Sequence, residues 1–557
     1  MSSNTLMESV THFNHFFAEV VADPHSDEPR LVYADWLEER GDPRGEFIRV
    51  QCELETTNDL QKEFYELSVR SEQLIAQYGE QWAGELEQDF RRSEFRRGFI
   101  DKITIRATAL LKGAEQLFAS TPVNWLRLIY LKGQGKKIAA MPELRQLRSL
   151  DLSNLTIPTE DLLAIFSSPN LINLEALTLT NFDWFDRLVA IAITKMESRT
   201  NLQKLTINAG RANGFFEDIC SGPGFPNLKE LTIGSDDFPE ENLTHISQLK
   251  APKLGSLTIR SRLSVTDFQT LMGLPLDNLE SLDLRNTKVP ARGLKMLSEK
   301  GVLKQIKHLD LSYCGLGIRS FEILFSEDNL SQCESLDISH SNVATQGTLE
   351  KIVERIANHP LPNLKRISLG SFDDVGLAIL FQPGSFPQLE SLHLESVVID
   401  QSTVEALLEH PIRERLRRLS FSGVDFPGHS AEVLSQGVFP NLVSLRFREA
   451  FYGYEDFKTI ELNALMQLLS SNAFPEVREL ELAGLGGEDG LRRLAAEAIL
   501  PEVRRFKFTG SHSSVAVVRH FLDSHRLPKL GEFKVGNSFK PSKKLIGEYA
   551  PNIVIHF

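Results

Sequence analysis

A short pattern with three apolar positions recurs along most of the chain and limits its possible folds more than any other feature. The pattern is apolar-x-x-apolar-x-apolar, as in Leu147-Arg-Ser-Leu150-Asp-Leu152, and it occurs 17 times between residues 100 and 535. From residue 147 to residue 530 the 14 intervals average about 27 residues. A fixed period of this length indicates a repeat array, in which each unit packs only on its neighbours. The 557-residue length therefore reflects the number of repeats rather than the number of domains.

Each copy of the pattern predicts a short β-strand, because alternating apolar residues bury one face of a strand. Successive strands are predicted to be parallel, and parallel strands need a crossover connection. The intervening residues carry helix signals: Ser264 and Ser402 each precede an acidic residue by three positions, which predicts a capping box at both. Proline after a crossover, as in Phe225-Pro-Asn-Leu228, is predicted to end the helix before the next strand.

The pattern and its period resemble leucine-rich repeats of the ribonuclease-inhibitor-like, strand-plus-helix type, from about residue 99 to residue 535. Copies such as Leu311-Ser-Tyr-Cys314-Gly-Leu316 also carry the small residue and the apolar residue that follow the strand in this family. The resemblance implies an α/β fold: a leucine-rich repeat solenoid shaped as a horseshoe, with a parallel β-sheet on the concave face and helices outside. Cys314 and Cys333 are then expected to be buried small hydrophobic residues.

Residues 1–98 lack the pattern and are predicted to be helical, with Phe13, Phe16, Phe17 and Val20 on one apolar stripe. The string from Asp23 to Leu54, with Pro29 to Arg49 at its centre, closely resembles the repeat-companion domain found at the N-termini of bacterial leucine-rich repeat proteins, notably of myxobacteria and planctomycetes. The resemblance implies a bacterial source and no particular activity. It also implies an N-terminal all-α capping domain over residues 1–98, followed by a leucine-rich repeat solenoid of about 17 repeats over residues 99–557.

Capping is the role we predict for this N-terminal segment, because a repeat array exposes apolar surface at each end. Binding through its acidic surface is the alternative. Residues 1–98 carry 21 acidic and 10 basic side chains, a net charge of −11, out of −14 for the whole chain. Catalysis by Asp35, Glu38 or Glu39 is disfavoured, because these residues lie on a helix whose many charges are typical of a solvated face.

Composition excludes several classes of protein. The excess of acidic residues argues against a protein that coats nucleic acid, so a nucleic-acid partner is not expected. Four scattered cysteines cannot form a disulfide framework, and the N-terminus lacks the features of a signal peptide. No uncharged apolar run approaches 18 residues, so no membrane span is expected. We therefore expect a cytoplasmic protein, and a monomer.

The residue between the last two apolar positions of each copy is predicted to point into the hollow of the horseshoe. In three consecutive copies this residue is an aspartate: Asp283, Asp310 and Asp337. Strands lie about 4.8 Å apart, so the three charges should repel one another. Two interpretations remain open: nearby serines and histidines offset the charge, or the stripe binds Lys or Arg of a partner. A metal site is disfavoured, because carboxylates spaced from strand to strand cannot surround one ion.

Further along the array, His393 occupies the same position, and a basic zone that includes Arg446 and Arg448 follows it. Glutamates interrupt this zone, so its charges are predicted to pair partly among themselves, and binding of phosphate or nucleic acid is the disfavoured alternative. The interval from residue 442 to residue 477 is long and contains the aromatic stretch 451–457. Tyr452 and Tyr454 are therefore candidate partner-binding residues on the rim. The alternative is that these aromatic side chains fill the gap that the insertion makes.

Catalytic and cofactor motifs are missing from the sequence: we find no phosphate-binding glycine loop, no Gly-x-Ser-x-Gly and no His-Glu-x-x-His. The ubiquitin-ligase class of bacterial repeat effectors is excluded, since no cysteine follows residue 333. We predict a non-enzymatic scaffold without metal or cofactor that binds a protein partner through the concave face and rim loops. The alternative is a stoichiometric inhibitor or regulator of an enzyme, a hydrolase or a GTPase. For GTPase activation Arg211 or Arg262 would supply the rim arginine.

Overall fold

The computed structural model describes residues 15–84, 90–153, 157–184, 187–211, 214–234, 240–326, 328–340, 354–356, 358–359, 361–370, 377–381, 384–449, 460–509, 514–536 and 552–556. Its internal contacts divide the chain into two compact units. The first unit contains Met1–Thr56 and Leu74–Leu279, and the second contains Thr57–Gln73 and Glu280–Phe557. These units do not test which residues fold on their own, so the domain boundary after residue 98 stays a prediction.

Helices form the start of the first unit. A helical stretch over residues 15–22 precedes α1 (Glu28–Glu38) and α2 (Pro43–Thr56). The next helix, α3 (Lys62–Ala83), contributes its residues from Leu74 onward to this unit. These helices share a buried core that consists of Phe16, Val20, Tyr33, Ala34, Leu37, Ile48, Cys52 and Phe99. The predicted apolar stripe of the first helix is thus buried at Phe16 and Val20, while Phe13 lies outside the described residues.

The first 98 residues also contain a strand, which the prediction of an all-α segment missed. β1 (Phe90–Arg96) pairs antiparallel with β2 (Phe99–Arg106), and Arg97 and Gly98 form the turn between them. Gly98 has a φ of +86°, and a Cβ at this position would collide with the side chain of Ile48. Only glycine therefore fits this close approach between the hairpin and α2. The hairpin connects the helices directly to the first repeat strand.

Seven parallel strands follow one another in the first unit: β2, β3 (Trp125–Ile129), β4 (Ser149–Asp151), β5 (Ala176–Trp184), β6 (Lys204–Arg211), β7 (Glu230–Ile233) and β8 (Ser256–Ile259). Their crossovers contain α4 (Ala107–Ser120), α5 (Gly135–Ala139), α6 (Thr159–Phe166), α7 (Arg187–Lys195) and α8 (Phe215–Ser221), and α9 (Val265–Leu271) follows β8. Short 3-10 helices occur at Pro142–Gln146, Glu197–Asn201 and Glu240–Gln248.

The second unit continues the same alternation with eleven parallel strands: β9 (Ser281–Asp283), β10 (His308–Asp310), β11 (Ser335–Asp337), β12 (Arg366–Gly370), β13 (Ser391–Glu395), β14 (Arg418–Ser422), β15 (Ser444–Arg448), β16 (Glu479–Ala483), β17 (Arg505–Thr509), β18 (Glu532–Val535) and β19 (Val554–His556). Its helices are α10 (Ala291–Glu299), α11 (Val302–Gln305), α12 (Ile318–Leu324), α13 (Gln401–Glu409), α14 (Gly428–Gln436), α15 (Leu462–Leu469), α16 (Gly487–Glu497) and α17 (Val515–Asp523), with 3-10 helices at Leu377–Phe381 and Pro411–Glu414.

All 17 copies of the sequence pattern fall on strands β2 to β18, so the predicted repeat of parallel strands and helical crossovers is confirmed. The apolar strand residues face the helices. Phe521 of α17, for example, packs on Phe506 of β17 and Phe533 of β18, with ring centroids 5.4 and 5.5 Å apart. The third and fifth residues of each pattern lie on the opposite face, which we call the strand face.

The helix starts follow the prediction at one site and depart from it at another. At α9, Ser264 and Asp267 form the predicted capping box, with the Ser264 Oγ accepting the Asp267 N–H at 3.2 Å. At α13 the predicted cap at Ser402 is wrong. The helix begins at Gln401, and the carboxylate of Asp400 accepts the Thr403 N–H at 2.8 Å, because aspartate caps as well as serine and comes first in the chain.

Asparagines just before the first apolar position connect neighbouring repeats. In each case the side-chain amide donates a hydrogen bond to a backbone carbonyl about one repeat earlier. The pairs are Asn201 to Ile172 at 2.9 Å, Asn227 to Thr200 at 2.7 Å, Asn278 to Pro252 at 3.0 Å, Asn363 to Ser331 at 2.8 Å and Asn441 to Glu414 at 2.7 Å. In the part of the chain described above, no helix has the length and apolar character needed to cross a bilayer.

Candidate protein-interaction face

The strand face of the second unit displays the fifth pattern residues in the order that the sequence predicts. Backbone pairing places these residues side by side on consecutive strands: Asp283, Asp310, Asp337, Ser368, His393, Ser420, Arg446, Glu481, Lys507 and Lys534. In the first unit the corresponding residues Thr178, Thr206, Thr232 and Thr258 are likewise in register. The face of the second unit thus changes from acidic at β9–β11 to mixed at β15–β18.

The acidic ladder, which we define as Asp283, Asp310 and Asp337, ends three adjacent strands. One carboxylate oxygen of each aspartate accepts the backbone N–H of the residue two positions later, at 3.0 Å in all three cases. In the second and third repeats the serine at that position also donates its hydroxyl, Ser312 at 2.6 Å and Ser339 at 2.7 Å. Each aspartate therefore closes the turn that follows its own strand.

Arg285 supplies the positive charge that the ladder needs. Its guanidinium lies 2.9 Å from the second carboxylate oxygen of Asp283 and 3.4 Å from that of Asp310. Hydrogen bonding to Asp283 raises the pKa of Arg285, and burial raises the pKa of Asp337. From the sequence, serines and histidines are the groups predicted to offset the negative charge of the ladder, and Arg285 is not among them. The available signal was its position, two residues after Asp283, where the next two repeats carry serine.

A second cluster lies beside the ladder at β11–β13. The Glu395 carboxylate lies 2.8 Å from the His340 ring nitrogen and 3.7 Å from that of His393. Burial alone would raise the pKa of Glu395, but the hydrogen bonds from the two histidines lower it to about 2. The Tyr313 ring stacks on His340 with centroids 3.7 Å apart, and Tyr313 remains 45% exposed. His393, a predicted site residue, thus belongs to a cluster that combines one carboxylate, two imidazole rings and an exposed aromatic ring.

The predicted binding residues Arg446 and Arg448 take part in an ion-pair network on β15–β18. Arg446 pairs with Glu479 at 2.6 Å, and Arg448 binds both oxygens of Glu481, at 2.8 and 2.9 Å. Lys507 approaches Glu481 at 3.0 Å and Arg446 approaches it at 3.8 Å, so this one carboxylate has three cationic partners. The internal pairing that the interrupting glutamates predicted is therefore present.

Residues 57–73, which we call the docked segment, lie on the strand face of the second unit. Asp59 pairs with Arg366 of β12 at 3.0 Å and with Arg418 of β14 at 2.9 Å. The fully buried Tyr65 donates its hydroxyl to the Asp59 carbonyl at 3.0 Å. At the first residue of α3, Lys62 pairs with Glu476 at 2.7 Å. The docked segment therefore covers part of the face that the sequence analysis treated as open.

Pairs of oppositely charged side chains continue along the docked segment to its end. Glu66 pairs with Arg504 at 3.1 Å, and Glu72 lies 3.6 Å from His556 of β19. Val69 is buried against Gly531, where an added Cβ would collide with the Val69 side chain. No signal in the sequence pointed to this contact, because its partners lie more than 300 residues apart along the chain.

The two remaining candidates, Tyr452 and Tyr454, lie outside the described residues. Within the described ranges, no group of three or more His, Cys, Asp or Glu side chains has an arrangement that could hold a metal ion. The described part of the face thus combines carboxylates, histidines and an exposed tyrosine on neighbouring strands.

Comparison with known proteins leaves the chain without an assigned family, since no family model and no curated protein matches it. Among solved structures it is similar to a chain in the crystal structure of the Rad7 and Elc1 complex in yeast, with a TM-score of 0.38 and 16% identity over 66% of this chain and 86% of that one. A protein from Bacteroides fragilis has a TM-score of 0.25 and 14% identity over 54% of this chain and 70% of its own. Likenesses this distant assign no function.

Proposed function

We propose that the protein is a non-enzymatic interaction protein that binds a basic segment of a protein partner on the strand face of β9–β13. The observation that carries the proposal is the acidic ladder beside the Glu395 cluster. The four carboxylates of Asp283, Asp310, Asp337 and Glu395, together with Arg285, carry a net charge of −3 with the histidines neutral.

The chemistry of this surface favours Lys and Arg side chains as ligands. Each ladder aspartate uses one oxygen for its own turn. The second oxygens of Asp283 and Asp310 already pair with a guanidinium group, that of Arg285, which is the kind of group that a basic partner would supply. Two unit charges about 4 Å apart attract by about 1 kcal/mol in water and about 4 kcal/mol at an effective dielectric constant of 20. Several such contacts from strands about 4.8 Å apart would select a partner with regularly spaced basic residues. Tyr313, exposed and rigidly stacked on His340, offers an aromatic anchor at the edge.

The carboxylates of the proposed site lie at the ends of β9, β10, β11 and β13, away from the strand starts that contact the docked segment. That segment engages Arg366 and Arg418 at the starts of β12 and β14 and continues to His556 of β19. The basic side chains of β15–β18 are paired with glutamates of the same strands. We therefore place the basic segment of the partner at the strand ends of β9–β13.

The first prediction concerns binding to the ladder. We expect the triple variant Asp283→Asn, Asp310→Asn and Asp337→Asn to bind a fluorescent arginine-rich peptide at least about tenfold more weakly, since about 1.4 kcal/mol corresponds to tenfold. Asparagine retains a carbonyl oxygen for each turn, so the fold should persist. Fluorescence anisotropy at several salt concentrations measures the affinity, which should fall as salt screens the charges.

The matched control is Asp328→Asn, which removes an exposed carboxylate that pairs only loosely with Lys304, at 3.5 Å. The control should leave binding unchanged. Equal peptide affinity in the triple variant and in the unmodified protein would reject the ladder as the site. Affinity purification from the native cell would then compare the same variants. If the partner is a hydrolase or a GTPase whose turnover changes on binding, the protein is a stoichiometric regulator of that enzyme.

A further inference from the structure

A cavity of about 260 Å³ opens on the strand face of β15–β18, apart from the acidic ladder. Its charged lining consists of Arg446, Arg448, Arg505, Lys507, Lys534, Glu479, Glu481 and Glu532. Five cations against three carboxylates leave two positive charges in excess. Each of these cations has a carboxylate partner, but Glu481 and Glu532 are each shared by two cations or more, so the internal pairing does not neutralise the lining.

The two signs of charge lie at different depths. The side chains of Lys507 and Lys534 are 43% and 41% exposed, whereas those of Glu481 and Glu532 are 6% and 2% exposed. Although burial opposes ionisation, Arg448 and Lys507 keep the pKa of Glu481 below its ordinary value, and Arg505 and Lys534 do the same for Glu532. The carboxylates are thus charged but enclosed, so a ligand entering the cavity meets cationic groups first.

Lys507 and Lys534 are direct neighbours in the sheet. The backbone pairing of β17 with β18 places them in register, and strands lie about 4.8 Å apart. Their ammonium groups reach different carboxylates, Glu481 at 3.0 Å and Glu532 at 3.0 Å. Like charges on neighbouring strands repel each other, and an anion bound by both lysines would offset that repulsion.

We propose that this cavity is a binding site for a phosphate group, which Lys507 and Lys534 contact together and Arg448 approaches from β15. A phosphate monoester carries between −1.5 and −2 charges near neutral pH on one compact group, which matches the excess of two positive charges better than a single carboxylate does. The phosphate belongs either to a small ester or to a phosphorylated side chain. This site is separate from the acidic ladder and does not depend on the function proposed for it.

Titration calorimetry of the full-length protein tests the proposal, with inorganic phosphate replacing chloride at constant ionic strength. We expect saturable phosphate binding that acetate does not reproduce. The double variant Lys507→Gln and Lys534→Gln should weaken it by at least about tenfold. A second titration uses a phosphoserine hexapeptide and its unphosphorylated form. Binding of the phosphopeptide about tenfold tighter than free phosphate assigns a phosphorylated side chain, and equal binding assigns a small ester.

Two controls keep the outcome interpretable. The charge-preserving variant Lys507→Arg and Lys534→Arg should bind phosphate within about threefold of the unmodified protein, while Lys295→Gln removes an exposed lysine elsewhere and should change nothing. The double glutamine variant should fold, because Glu481 keeps its two bonds to Arg448 and Glu532 keeps Arg505 at 2.6 Å. Absence of saturable phosphate binding, or unchanged binding in the double glutamine variant, would overturn the proposal.

Discussion

Individual aspartates on the strand face stabilise the turn that follows their own strand. Asp151 follows the same rule as the acidic ladder, since its carboxylate accepts the Ser153 N–H at 2.8 Å. An aspartate at this position stabilises the turn after the strand because its short side chain reaches the second N–H along the chain. The residue type therefore has a local explanation before any partner is considered.

The second prediction separates these two roles at Asp337. Asp337→Ala removes the acceptor for the Ser339 N–H and should lower the free energy of unfolding by about 1 kcal/mol. Asp337→Asn keeps an acceptor oxygen and removes a charge that burial disfavours, so its stability should match the unmodified protein within about 0.5 kcal/mol. Urea unfolding followed by circular dichroism measures both. Equal loss of stability in the two variants would show that the charge, and not the turn, matters.

The third prediction concerns the pH dependence of stability at Glu395. Its pKa is lowered from 4.5 to about 2, so the folded protein holds this charge to a lower pH than the unfolded chain does. Such a group stabilises the fold above pH 4.5, and that contribution, roughly 3 kcal/mol, is lost as the pH falls from about 4.5 towards 2. The stability difference between the unmodified protein and Glu395→Gln should shrink in urea unfolding as the pH falls from 6 to 3.

The control for this pH series is Glu299→Gln, at an exposed position where the partner is Lys295 at 3.7 Å. Its stability should stay close to that of the unmodified protein at every pH, because exposed ion pairs contribute little. A difference for Glu395→Gln that stays constant between pH 6 and pH 3 would contradict the histidine-supported charge at Glu395.

Among the elements of the fold, the crossovers contain a sequence signal in addition to proline. In Phe225-Pro-Asn-Leu228 and similar strings, the proline predicts where the helix ends, and the asparagine beside it has a separate role. The asparagine in these strings donates to a carbonyl of the preceding repeat, for example Asn227 to Thr200. Its recurrence one position before the first leucine was visible in the sequence. Its function was not, because the acceptor carbonyl lies about one repeat away.

The position of the docked segment in the fold is not predicted by the sequence. From the sequence, its residues predict an ordinary amphipathic helix, and such a helix could equally well cap the end of the array. Its ion pairs alternate in sign along the contact: Asp59 with arginines, Lys62 with Glu476 and Glu66 with Arg504. Such a pattern specifies one register of the helix on the face, because a shift along the face would bring like charges together.

The fourth prediction tests the docked segment at its first contact. Asp59→Ala leaves Arg366 and the half-buried Arg418 without their carboxylate and should lower the free energy of unfolding by about 1–2 kcal/mol. Limited proteolysis should also cleave the variant faster within residues 57–73, because local opening becomes easier. Glu299→Ala, at an exposed carboxylate of the helix α10, serves as the control for both measurements. Unchanged stability and cleavage in Asp59→Ala would show that the other contacts of the segment hold it in place without Asp59.

At the scale of the whole molecule, the distribution of charge acquires a structural meaning. Residues 1–98, the predicted capping domain, carry a net charge of −11 out of the −14 of the whole chain. Part of that acidic charge, at Asp59, Glu66 and Glu72, belongs to the docked segment and meets basic residues of the later repeats. The nearly neutral repeat region thus contains basic positions that are matched within the same chain, and capping by residues 1–98 stays a prediction.

The sequence by itself determined the repeat, the strands β2–β18 with their helical crossovers, and the order of residues along the strand face. These features follow from local periodicity, which repeats every 27 residues or so and needs no knowledge of distant contacts. Only the tertiary structure decided that Arg285 spans two aspartates and that Glu395 joins His340 to His393. It also decided that residues 57–73 lie on the strand face. Each of these depends on side chains brought together from separate repeats, where geometry selects one partner among many charged residues of suitable sign.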